Sequence, residues 1–452
     1  MPEPRIVFAA PASGSGKTTI TCGLLQALKE RGKKVLSFKC GPDYIDPMFQ
    51  ERVIGVPSGT LDLFFSDPHT LRRLFLKNAS GAEISVIEGV MGYYDGLGAA
   101  TDEASTYRVA EALNAPVVLI VDARGQSLSA LATLEGFLRF RPDSRIRGVI
   151  FNRMSEHVYQ ALKPEAEKLG VIPLGFLPKS DSLMIESRHL GLVTPAEISG
   201  LSEKLHKLAE TLENTVDIDA LIALSEEAEP IEAEPQPERP KPLPKPVKIA
   251  AARDEAFCFW YKDNLALLQE LGAELCFFSP IHDKEIPKGA QGLILPGGYP
   301  ELYAEALSQN TMMRESVASA VQSGLPCLAE CGGFLYLHQE LQDMNGIYWP
   351  MAGVINAKAW KTNRLGRFGY VTLSGKSDGG LLQRGEQIRA HEFHYYESGD
   401  CGSDLLAVKP TGSRSWECCH VKGNLFAGFP HLFYESNPQL IERFLRRCAG
   451  EE

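Results

Sequence analysis

The chain has 452 residues, of which 44% are hydrophobic, and its formal net charge at neutral pH is −11. This length exceeds what one ordinary hydrophobic core needs and predicts two domains, while the negative charge disfavours a nucleic-acid-binding protein. No run approaches the ~20 apolar residues of a membrane span, and the N-terminus lacks a signal-peptide pattern. We therefore expect a cytoplasmic protein that acts on small molecules without nucleic-acid or membrane partners, and its oligomeric state stays open.

The first element predicted along the chain is a phosphate-binding loop. The apolar run "RIVFAA" (5–10) is typical of a strand, and "ITCGLLQALKERG" has the spacing of a helix. The loop between them has Pro11 where the strict motif has glycine, so the prediction depends on the flanking elements. Its Lys17 would neutralise phosphate charge and its Thr18 would ligate Mg²⁺. The predicted ATP-binding residues here are Gly14, Ser15, Gly16, Lys17, Thr18 and Thr19.

Further apolar strands alternate with helical patterns in the first half of the chain. The strands are predicted at 33–38, 84–89, 115–123 and 146–152, with helices at 127–140 and 156–169. Continuous apolar strands joined by helices indicate a parallel sheet covered on both faces. Ligands of such sheets bind beyond the carboxyl ends of the strands, so the chemistry is expected there.

Polar side chains cluster just after these strands. The segment "KCGPDYIDP" follows the second strand, and "EGVMGYYDG" follows the third. A carboxylate opposite a phosphate loop can act as the second acidic partner of a Mg²⁺–nucleotide site, and Glu88 is the predicted metal ligand beside Thr18. Asn152 ends a strand, where it can read an adenine edge or cap the next helix. The other polar residues that these segments place at this edge of the sheet are Lys39, Asp43, Asp46 and Asp95.

A proline-rich segment separates the two halves. Residues 226–246 contain seven prolines, with acidic residues first and basic residues later. This composition favours an extended conformation and cannot form a core. We therefore predict domains at 1–225 and 247–452, joined by a linker at 226–246.

The second half is also predicted to be an α/β domain. A strand running into a helix is expected at 247–257, with further strands at 273–281 and 291–301. The stretch "SGLPCLAECGGFLYL" then predicts a strand, Cys331 and a helix. The ten cysteines show no zinc-binding spacing, and a cytosolic chain keeps its thiols reduced, which disfavours metal-ligand and disulfide roles for Cys331.

A nucleophile is the function that this position of Cys331 favours. On a tight strand-to-helix turn the sulfur projects above the sheet, and the helix N-terminus stabilises a thiolate. Backbone N–H groups of Gly298 and Gly332 can form an oxyanion hole. From the residues alone, the general base can be His391, His394 or His431.

The chain resembles the cobyrinate a,c-diamide synthase family, the two-domain amidotransferases of corrinoid biosynthesis. The resembling stretches run from end to end: "SGSGKTT", "FKCGPDYIDPMF", "IEGVMGYYDG", "ARDEAFCFWYKDNL", "PGGYPE", "AECGGFLYL", "RAHEFHYYE" and "FAGFPHLFYESNP". The resemblance implies a first domain like the dethiobiotin-synthetase-like ATPases. It implies a second domain like the class I glutamine amidotransferases, with a flavodoxin-like fold.

The resemblance also implies roles for individual residues. Asp43, Asp46 and Asp95 match family positions linked to phosphoryl transfer and substrate binding, and Lys39 is predicted to act with them. Cys331 becomes the glutaminase nucleophile and His431 its base, which leaves His391 and His394 as fold or substrate residues. The carboxylate that completes a triad in many class I amidotransferases is replaced by Phe433. The implied reaction is ATP-dependent, Mg²⁺-dependent amidation of the a and c acetates of cobyrinic acid by ammonia from glutamine.

Three alternatives remain open at this point. The same chemistry can act on Ni-sirohydrochlorin, or on hydrogenobyrinate. A different class is a nucleotide-switch ATPase with a degenerate amidotransferase domain used for binding. Intact Cys331 and His431 disfavour the last alternative, and a glutaminase assay separates it from the others.

Overall fold

The computed structural model describes residues 3–180, 183, 195–232 and 239–451, and for residues 195–199 only the backbone. The chain divides into two compact units, Met1–Pro235 and Gln236–Glu452. Part of the predicted linker, residues 233–238, lies outside the described residues. Within the described part of the chain, no helix is both long and apolar enough to cross a membrane.

The first unit is a seven-stranded parallel sheet with helices on both faces. Its strands are β1 Arg5–Ala9, β2 Val35–Cys40, β3 Ser58–Leu61, β4 Ile84–Glu88, β5 Val117–Asp122, β6 Ile146–Asn152 and β7 Ile172–Leu177. Its helices are α1 Lys17–Glu30, α2 Ile45–Phe49, α3 Pro68–Ala79, α4 Thr106–Ala112, α5 Leu128–Arg139, α6 Glu156–Lys168, α7 Pro195–Thr215 and α8 Ile218–Glu226. The strand order is β3-β2-β4-β1-β5-β6-β7.

The continuous apolar strands of this unit follow from burial of both sheet faces. Successive side chains of a strand point to opposite faces. In β1, Ile6 and Phe8 join the core beneath α1, α7 and α8, whereas Val7 and Ala9 join the core beneath α3–α6. The order places β1 in the middle of the sheet, so the loop after β1 lies at the centre of the carboxyl edge.

The second unit combines a six-stranded sheet with a second, mostly antiparallel sheet. The strands are β8 Val247–Ala252, β9 Ala273–Phe278, β10 Gly292–Leu295, β11 Cys327–Glu330, β12 His338–Gln342, β13 Tyr348–Pro350, β14 Ile355–Gly375, β15 Gln387–Ser398, β16 Leu405–Val408, β17 Ser415–Cys418, β18 His420–Lys422, β19 Leu425–Gly428 and β20 His431–Leu432. The helices are α9 Lys262–Glu270, α10 Ala304–Gln309, α11 Thr311–Gln322, α12 Gly332–Tyr336 and α13 Pro438–Cys448.

The first sheet of this unit has the order β18-β19-β11-β10-β8-β9, in which only β18 is antiparallel to its neighbour. The second sheet is built on the long hairpin β14–β15, to which β12, β16 and β20 add strands. Val371 and Ile388 of the hairpin pack in the same core as helices α9 and α13. The two units confirm the predicted α/β class.

Two features differ from the sequence-based expectations. The helix predicted to follow β8 within 247–257 is wrong, because the chain bends after Ala252 and the next helix starts at Lys262. Asp254 explains the bend, since its carboxylate accepts hydrogen bonds from the backbone N–H groups of Ala256 and Phe257. The second sheet was not predicted, because its hairpin carries charged and aromatic residues on a partly exposed face.

Both ends of the predicted linker contact the unit next to them. Arg5 of β1 donates a hydrogen bond to the carbonyl of Glu229. On the other side, Arg239 pairs with the buried carboxylate of Glu435 at 2.9 Å, and Leu243 belongs to the core of the second unit. The domain limits themselves remain a prediction.

Candidate active site

A cavity of about 440 Å³ lies at the carboxyl edge of the sheet in the first unit. Its volume falls in the range of small-molecule sites. Eight of the residues predicted for ATP or substrate binding line it, namely Gly14, Gly16, Lys17, Thr18, Thr19, Lys39, Asp43 and Asp46. The structure therefore brings together residues from the loops after β1 and β2, which are separate in sequence.

The loop after β1 has the conformation of a phosphate-binding loop. Gly14 and Gly16 have φ values of +78° and +96°, in the left-handed region that glycine adopts without strain. Helix α1 begins at Lys17, directly after the second glycine. Ser15 donates from its hydroxyl to the carbonyl of Ala12 at 2.9 Å, which closes the loop on itself.

Lys17 contacts the loop that follows β4. Its Nζ donates to the carbonyl of Met91 at 2.5 Å and to that of Ala12 at 3.4 Å. Burial, and next the charge of Lys39, lowers the pKa of Lys17 to about 8. At neutral pH this lysine is still mostly charged, and a bound phosphate would favour the charged form further, because an opposite charge favours ionisation.

Lys39, Asp46 and Glu88 form a buried ionic cluster beside the cavity. Lys39 Nζ lies 2.5 Å from Asp46 Oδ2 and 2.7 Å from Glu88 Oε1. Burial opposes the charge on Lys39, but Glu88 and Asp46 outweigh it and hold the pKa of Lys39 above its usual range. Thr18 donates from its hydroxyl to Glu88 Oε1 at 2.6 Å, which links the cluster to the phosphate loop.

Gln50 and Ser58 complete this cluster and were not predicted. Gln50 Nε2 donates to Glu88 Oε2 at 3.3 Å, and its Oε1 accepts from the Ser58 hydroxyl at 2.9 Å. Gln50 is fully buried and starts a π-helical turn, Gln50–Ile54, which continues α2. Its spacing of four residues from Asp46 is the signal that could have indicated a shared helix face.

Four predicted residues lie outside this cavity's lining, namely Ser15, Glu88, Asp95 and Asn152. Asp95 is exposed, and its carboxylate accepts from the backbone N–H of Gly92 at 2.9 Å. Asn152 is 4% exposed and donates from Nδ2 to the carbonyl of Ser15 at 2.8 Å, so that it supports the phosphate loop. Asn152 lines a neighbouring cavity of about 300 Å³, together with Gly16 and Thr19.

The second candidate site lies in the second unit, at the turn between β11 and α12. Cys331 occupies this turn with φ +44° and ψ −99°, a conformation unusual for a residue with a side chain. Its backbone N–H donates to the carbonyl of Gly428, at the end of neighbouring strand β19, at 2.8 Å. A strained strand-to-helix turn is the setting in which nucleophiles are presented above a sheet.

The glycines predicted as oxyanion donors face each other beside Cys331. A Cβ atom placed on Gly332 would lie 2.9 Å from the backbone nitrogen of Gly298. A Cβ on Gly298 itself would lie 2.0 Å from the carbonyl of Ala256. Both positions therefore require glycine, because any side chain would separate these segments.

His431 is the histidine that the fold brings against the loop after β10. A Cβ on Gly297 would lie 2.2 Å from the Cε1 atom of His431, so the ring packs on that glycine. The backbone connects both elements, since β19 ends beside Cys331 and β20 begins at His431. Burial lowers the pKa of His431 to about 3, which keeps the imidazole neutral at physiological pH.

The other two candidate histidines have different surroundings. His394 stacks on Phe429 at 3.9 Å between ring centroids, and its Nδ1 lies 2.6 Å from the carbonyl of Tyr396. His391 is the cross-strand neighbour of His431, with the ring of Tyr370 at 5.7 Å. Neither contact involves the loop after β10.

A second set of residues positions the segment that carries His431. Asn264 of α9 donates from Nδ2 to the carbonyl of Leu432 and accepts from the N–H of Tyr434, each at 2.8 Å. Glu330 accepts from the N–H of Leu432 at 3.1 Å and from the Tyr434 hydroxyl at 3.0 Å. The predicted absence of a triad carboxylate at Phe433 leaves these side chains to hold the segment.

Cys331 is a thiol in this closed site. Burial, and next the carboxylates of Glu301 and Glu392, raises the pKa of Cys331. The Gly332 N–H, which donates to the sulfur, acts in the opposite direction but is outweighed. This direction differs from the thiolate expected at a helix terminus, because the side chain is only 6% exposed.

Family models match both units of the chain. Residues 6–193 match the CobQ/CobB/MinD/ParA nucleotide binding domain. Residues 248–439 match the CobB/CobQ-like glutamine amidotransferase domain. The two matches correspond to the two candidate sites.

Curated relatives match nearly the whole length of the chain. The cobyrinate a,c-diamide synthase of Listeria innocua is 40% identical over 97% of this chain and 98% of its own. That of Caldanaerobacter subterraneus is 40% identical over 98% of both chains. That of Salmonella typhimurium is 39% identical over 97% of both chains.

Proposed function

This chain belongs to the cobyrinate a,c-diamide synthase family and is an ATP-dependent ligase with a glutamine amidotransferase domain; on that premise we propose that it amidates the a and c acetates of cobyrinic acid. The observation that carries the proposal is the pairing of two complete half-sites on one chain. One half-site is the phosphate loop with its Lys39 cluster, and the other is Cys331 with His431.

The second unit supplies ammonia in this proposal. Cys331 attacks the amide carbon of glutamine while its proton passes to the neutral imidazole of His431. The oxyanion that forms lies between the N–H groups of Gly298 and Gly332. The carbon–nitrogen bond then breaks, the nitrogen takes the proton and ammonia leaves, and water hydrolyses the thioester to glutamate.

The first unit activates the carboxylate. An acetate oxygen of the macrocycle attacks the γ-phosphorus of ATP, ADP leaves and an acyl phosphate forms. Ammonia then attacks the acyl carbon and displaces phosphate. Lys17 offsets the phosphate charge in this proposal. Lys39, Asp43 and Asp46 line the same cavity, which supports a role for them toward the reacting carboxylate.

The residues beside Thr18 fit a Mg²⁺ ion that accompanies ATP. The Thr18 hydroxyl and the Glu88 carboxylate meet at 2.6 Å, and hydroxyl and carboxylate oxygens are ligands that Mg²⁺ prefers. Among the described residues no group of three or more His, Cys, Asp or Glu could hold a metal ion. In this proposal Thr18 and Glu88 would hold the ion together with the phosphates of ATP, and the charge of the ion would offset theirs.

Parallel assays with four macrocycles test the substrate assignment. The pure protein is incubated with ATP, Mg²⁺ and glutamine, and with cobyrinic acid, hydrogenobyrinic acid, sirohydrochlorin or Ni-sirohydrochlorin in parallel. Mass spectrometry then follows the exchange of two hydroxyl groups for two amino groups. The expected result is a diamide from cobyrinic acid, and amidation of Ni-sirohydrochlorin alone would overturn the substrate assignment.

Oxygen labelling tests the acyl phosphate. With ¹⁸O in the acetate carboxylates, each amide formed should leave one labelled oxygen in the inorganic phosphate. Unlabelled phosphate during normal turnover would rule out transfer of the γ-phosphoryl group to the carboxylate.

A further inference from the structure

Two cavities meet at one arginine beside the phosphate loop. The nucleotide cavity of about 440 Å³ and its neighbour of about 300 Å³ share three lining residues, Gly16, Thr19 and Arg153. A ligand that occupies both cavities would have Arg153 within its surroundings on each side. Sequence reasoning assigned no role to this residue, which directly follows Asn152.

The fold holds the guanidinium of Arg153 at this junction. Arg153 follows β6 with φ +59°, a left-handed conformation uncommon for a residue with a side chain. Its Nη1 pairs with Asp122 Oδ2, at the end of neighbouring strand β5, at 2.7 Å. Its Nη2 donates to the carbonyl of Gly14 at 3.2 Å. These contacts use two of the five N–H donors of a guanidinium.

Nearby carboxylates compensate the charge of Arg153 less than that of Lys39, so Arg153 is better suited to bind a phosphate. Lys39 is balanced by both Asp46 and Glu88, each of them buried. Arg153 has a single carboxylate partner, and the side chains of Arg153 and Asp122 are 19% and 25% exposed. A guanidinium can bind a phosphate through two parallel N–H groups, whereas a lysine ammonium acts as a point charge. Arg153 can therefore hold a phosphate in a fixed orientation.

We propose that Arg153 is a nucleotide-binding residue that contacts the phosphate nearest the ribose. The lysine of a phosphate loop reaches the β- and γ-phosphates, while the loop backbone cradles the α- and β-phosphates. Arg153 lines both the cavity of the loop and the neighbouring cavity, so it stands where the α-phosphate, which is joined to the ribose, would leave the loop. The proposal deepens the proposed function and depends on its nucleotide step.

A purely structural role makes a different kinetic prediction. If Arg153 only supports the loop through Gly14, its loss displaces Lys17 and lowers kcat. A contact to the inner phosphate binds ground state and transition state alike, so its loss raises KM for ATP and leaves kcat nearly unchanged.

The test compares Arg153→Ala and Arg153→Gln with the wild type in the full-length protein. The glutamine variant keeps an amide that can donate to Gly14, so it guards against misfolding of the alanine variant. Calorimetry with ADP and Mg²⁺ should show at least about ten-fold weaker binding in both variants. Ammonia-dependent amidation should show a similar rise in KM for ATP, with kcat within about two-fold.

Arg139→Ala is the matched control, because it removes an exposed guanidinium of the same unit that pairs with Glu135. ADP binding of wild-type strength in both Arg153 variants would overturn the inference, and so would a loss of kcat with KM unchanged. Failure of the wild type itself to bind ADP would instead contradict the proposed function.

Discussion

At the scale of single residues, burial keeps the Cys331 and His431 side chains uncharged, because it raises the pKa of the thiol and lowers the pKa of the imidazole. In the mechanism that we propose, proton transfer from Cys331 to His431 therefore accompanies attack on glutamine. Lys39, in contrast, stays charged because two carboxylates surround it. The two half-sites therefore fail in different ways when a residue is removed.

Cys331→Ala should abolish glutamine-dependent amidation, by about 10³-fold or more, and leave amidation with ammonium salts at raised pH intact. The variant loses only the nucleophile, because alanine adds no bulk to the turn. His431→Ala should show the same pattern less completely. Amide formation with each nitrogen donor is the measurement.

His394→Ala serves as the control for these variants, since its ring stacks on Phe429 and not on the loop after β10. Loss of the ammonia-dependent reaction in a folded Cys331→Ala protein would contradict the two-site mechanism. Survival of the glutamine-dependent reaction would show that this cysteine only packs.

Asp46→Asn should lower ATP-dependent amidation about ten-fold or more while basal glutamine hydrolysis stays within about three-fold. The reason is that Lys39 loses one of its two ion-pair partners, which changes the cavity wall in the first unit alone. Parallel assays of both reactions decide it. The reverse pattern, with glutaminase lost and activation retained, would refute this division of labour.

At the scale of elements, the turn between β11 and α12 depends on two glycines that face each other. Gly332→Ala places a methyl group 2.9 Å from the backbone nitrogen of Gly298. We expect glutaminase activity to fall about 10²-fold, because a displaced oxyanion donor costs that much. Ammonia-dependent amidation should not change.

The matched control is Gly399→Ala, whose added methyl would meet Ala357 at an ordinary contact distance of 3.6 Å. Equal glutaminase activity in the two alanine variants would show that the close approach of Gly332 and Gly298 has no part in catalysis.

Two hydrogen-bonding side chains, Gln50 and Asn264, were not predicted from the sequence because of where their elements lie in the fold. Gln50 lies where α2 continues into a π-helical turn, and this register directs its side chain to Glu88. Asn264 lies on α9 yet holds the segment after β20, more than 160 residues further along the chain. No local sequence pattern indicates these contacts, because the hydrogen-bond partner of each side chain is distant in sequence.

At the scale of the whole molecule, the two proposed half-sites should differ in what they are needed for. Amidation with either nitrogen donor should need the ATP site, whereas only glutamine-dependent amidation should need Cys331. Lys17→Ala should abolish amidation with either glutamine or ammonia, because the carboxylate cannot be activated without ordered phosphates. Assays with both donors test this, with Cys331→Ala as the contrasting variant. Normal turnover of the Lys17 variant would remove the ATP site from the loop after β1.

The stability of the second unit should depend on pH through its buried groups. Burial raises the pKa of Glu330 to about 8, above its unfolded value, so the folded form retains a proton that the unfolded form releases. Stability from this group is therefore lost as the pH rises from about 4.5 to 8. The pKa values of His338 and His431 are lowered to about 4 and about 3. Stability from these two histidines is lost as the pH falls, but only below about pH 6.5.

Glu330→Gln should therefore reduce the fall in Tm between pH 6.5 and 8.5 by a few degrees, at about 2–4 °C per kcal/mol. A glutamine can still accept from Leu432 and donate to the Tyr434 oxygen. Calorimetry of the full chain measures Tm at each pH. Glu315→Gln is the control, because Glu315 is exposed on α11. Identical pH profiles for wild type and Glu330→Gln would contradict the raised pKa.

Local patterns by themselves determined the two α/β units, the phosphate loop and the position of Cys331. Apolar runs, glycines and helix periodicity are local signals, and the strand–loop–helix context at Lys17 needs no distant contact. The composition of residues 226–246 likewise predicts a linker, and the limits of the two domains stay a prediction.

Only the tertiary structure distinguished the surroundings of the three histidines and brought Gln50, Arg153 and Glu330 to the sites. Residue spacing leaves His391, His394 and His431 equivalent, whereas strand pairing puts one ring against Gly297 and another against Phe429. The ionisation states were also decided there, because a pKa depends on burial and on charges that come from distant parts of the chain. For the same reason a cysteine that local sequence presents as a thiolate is a thiol in the folded protein.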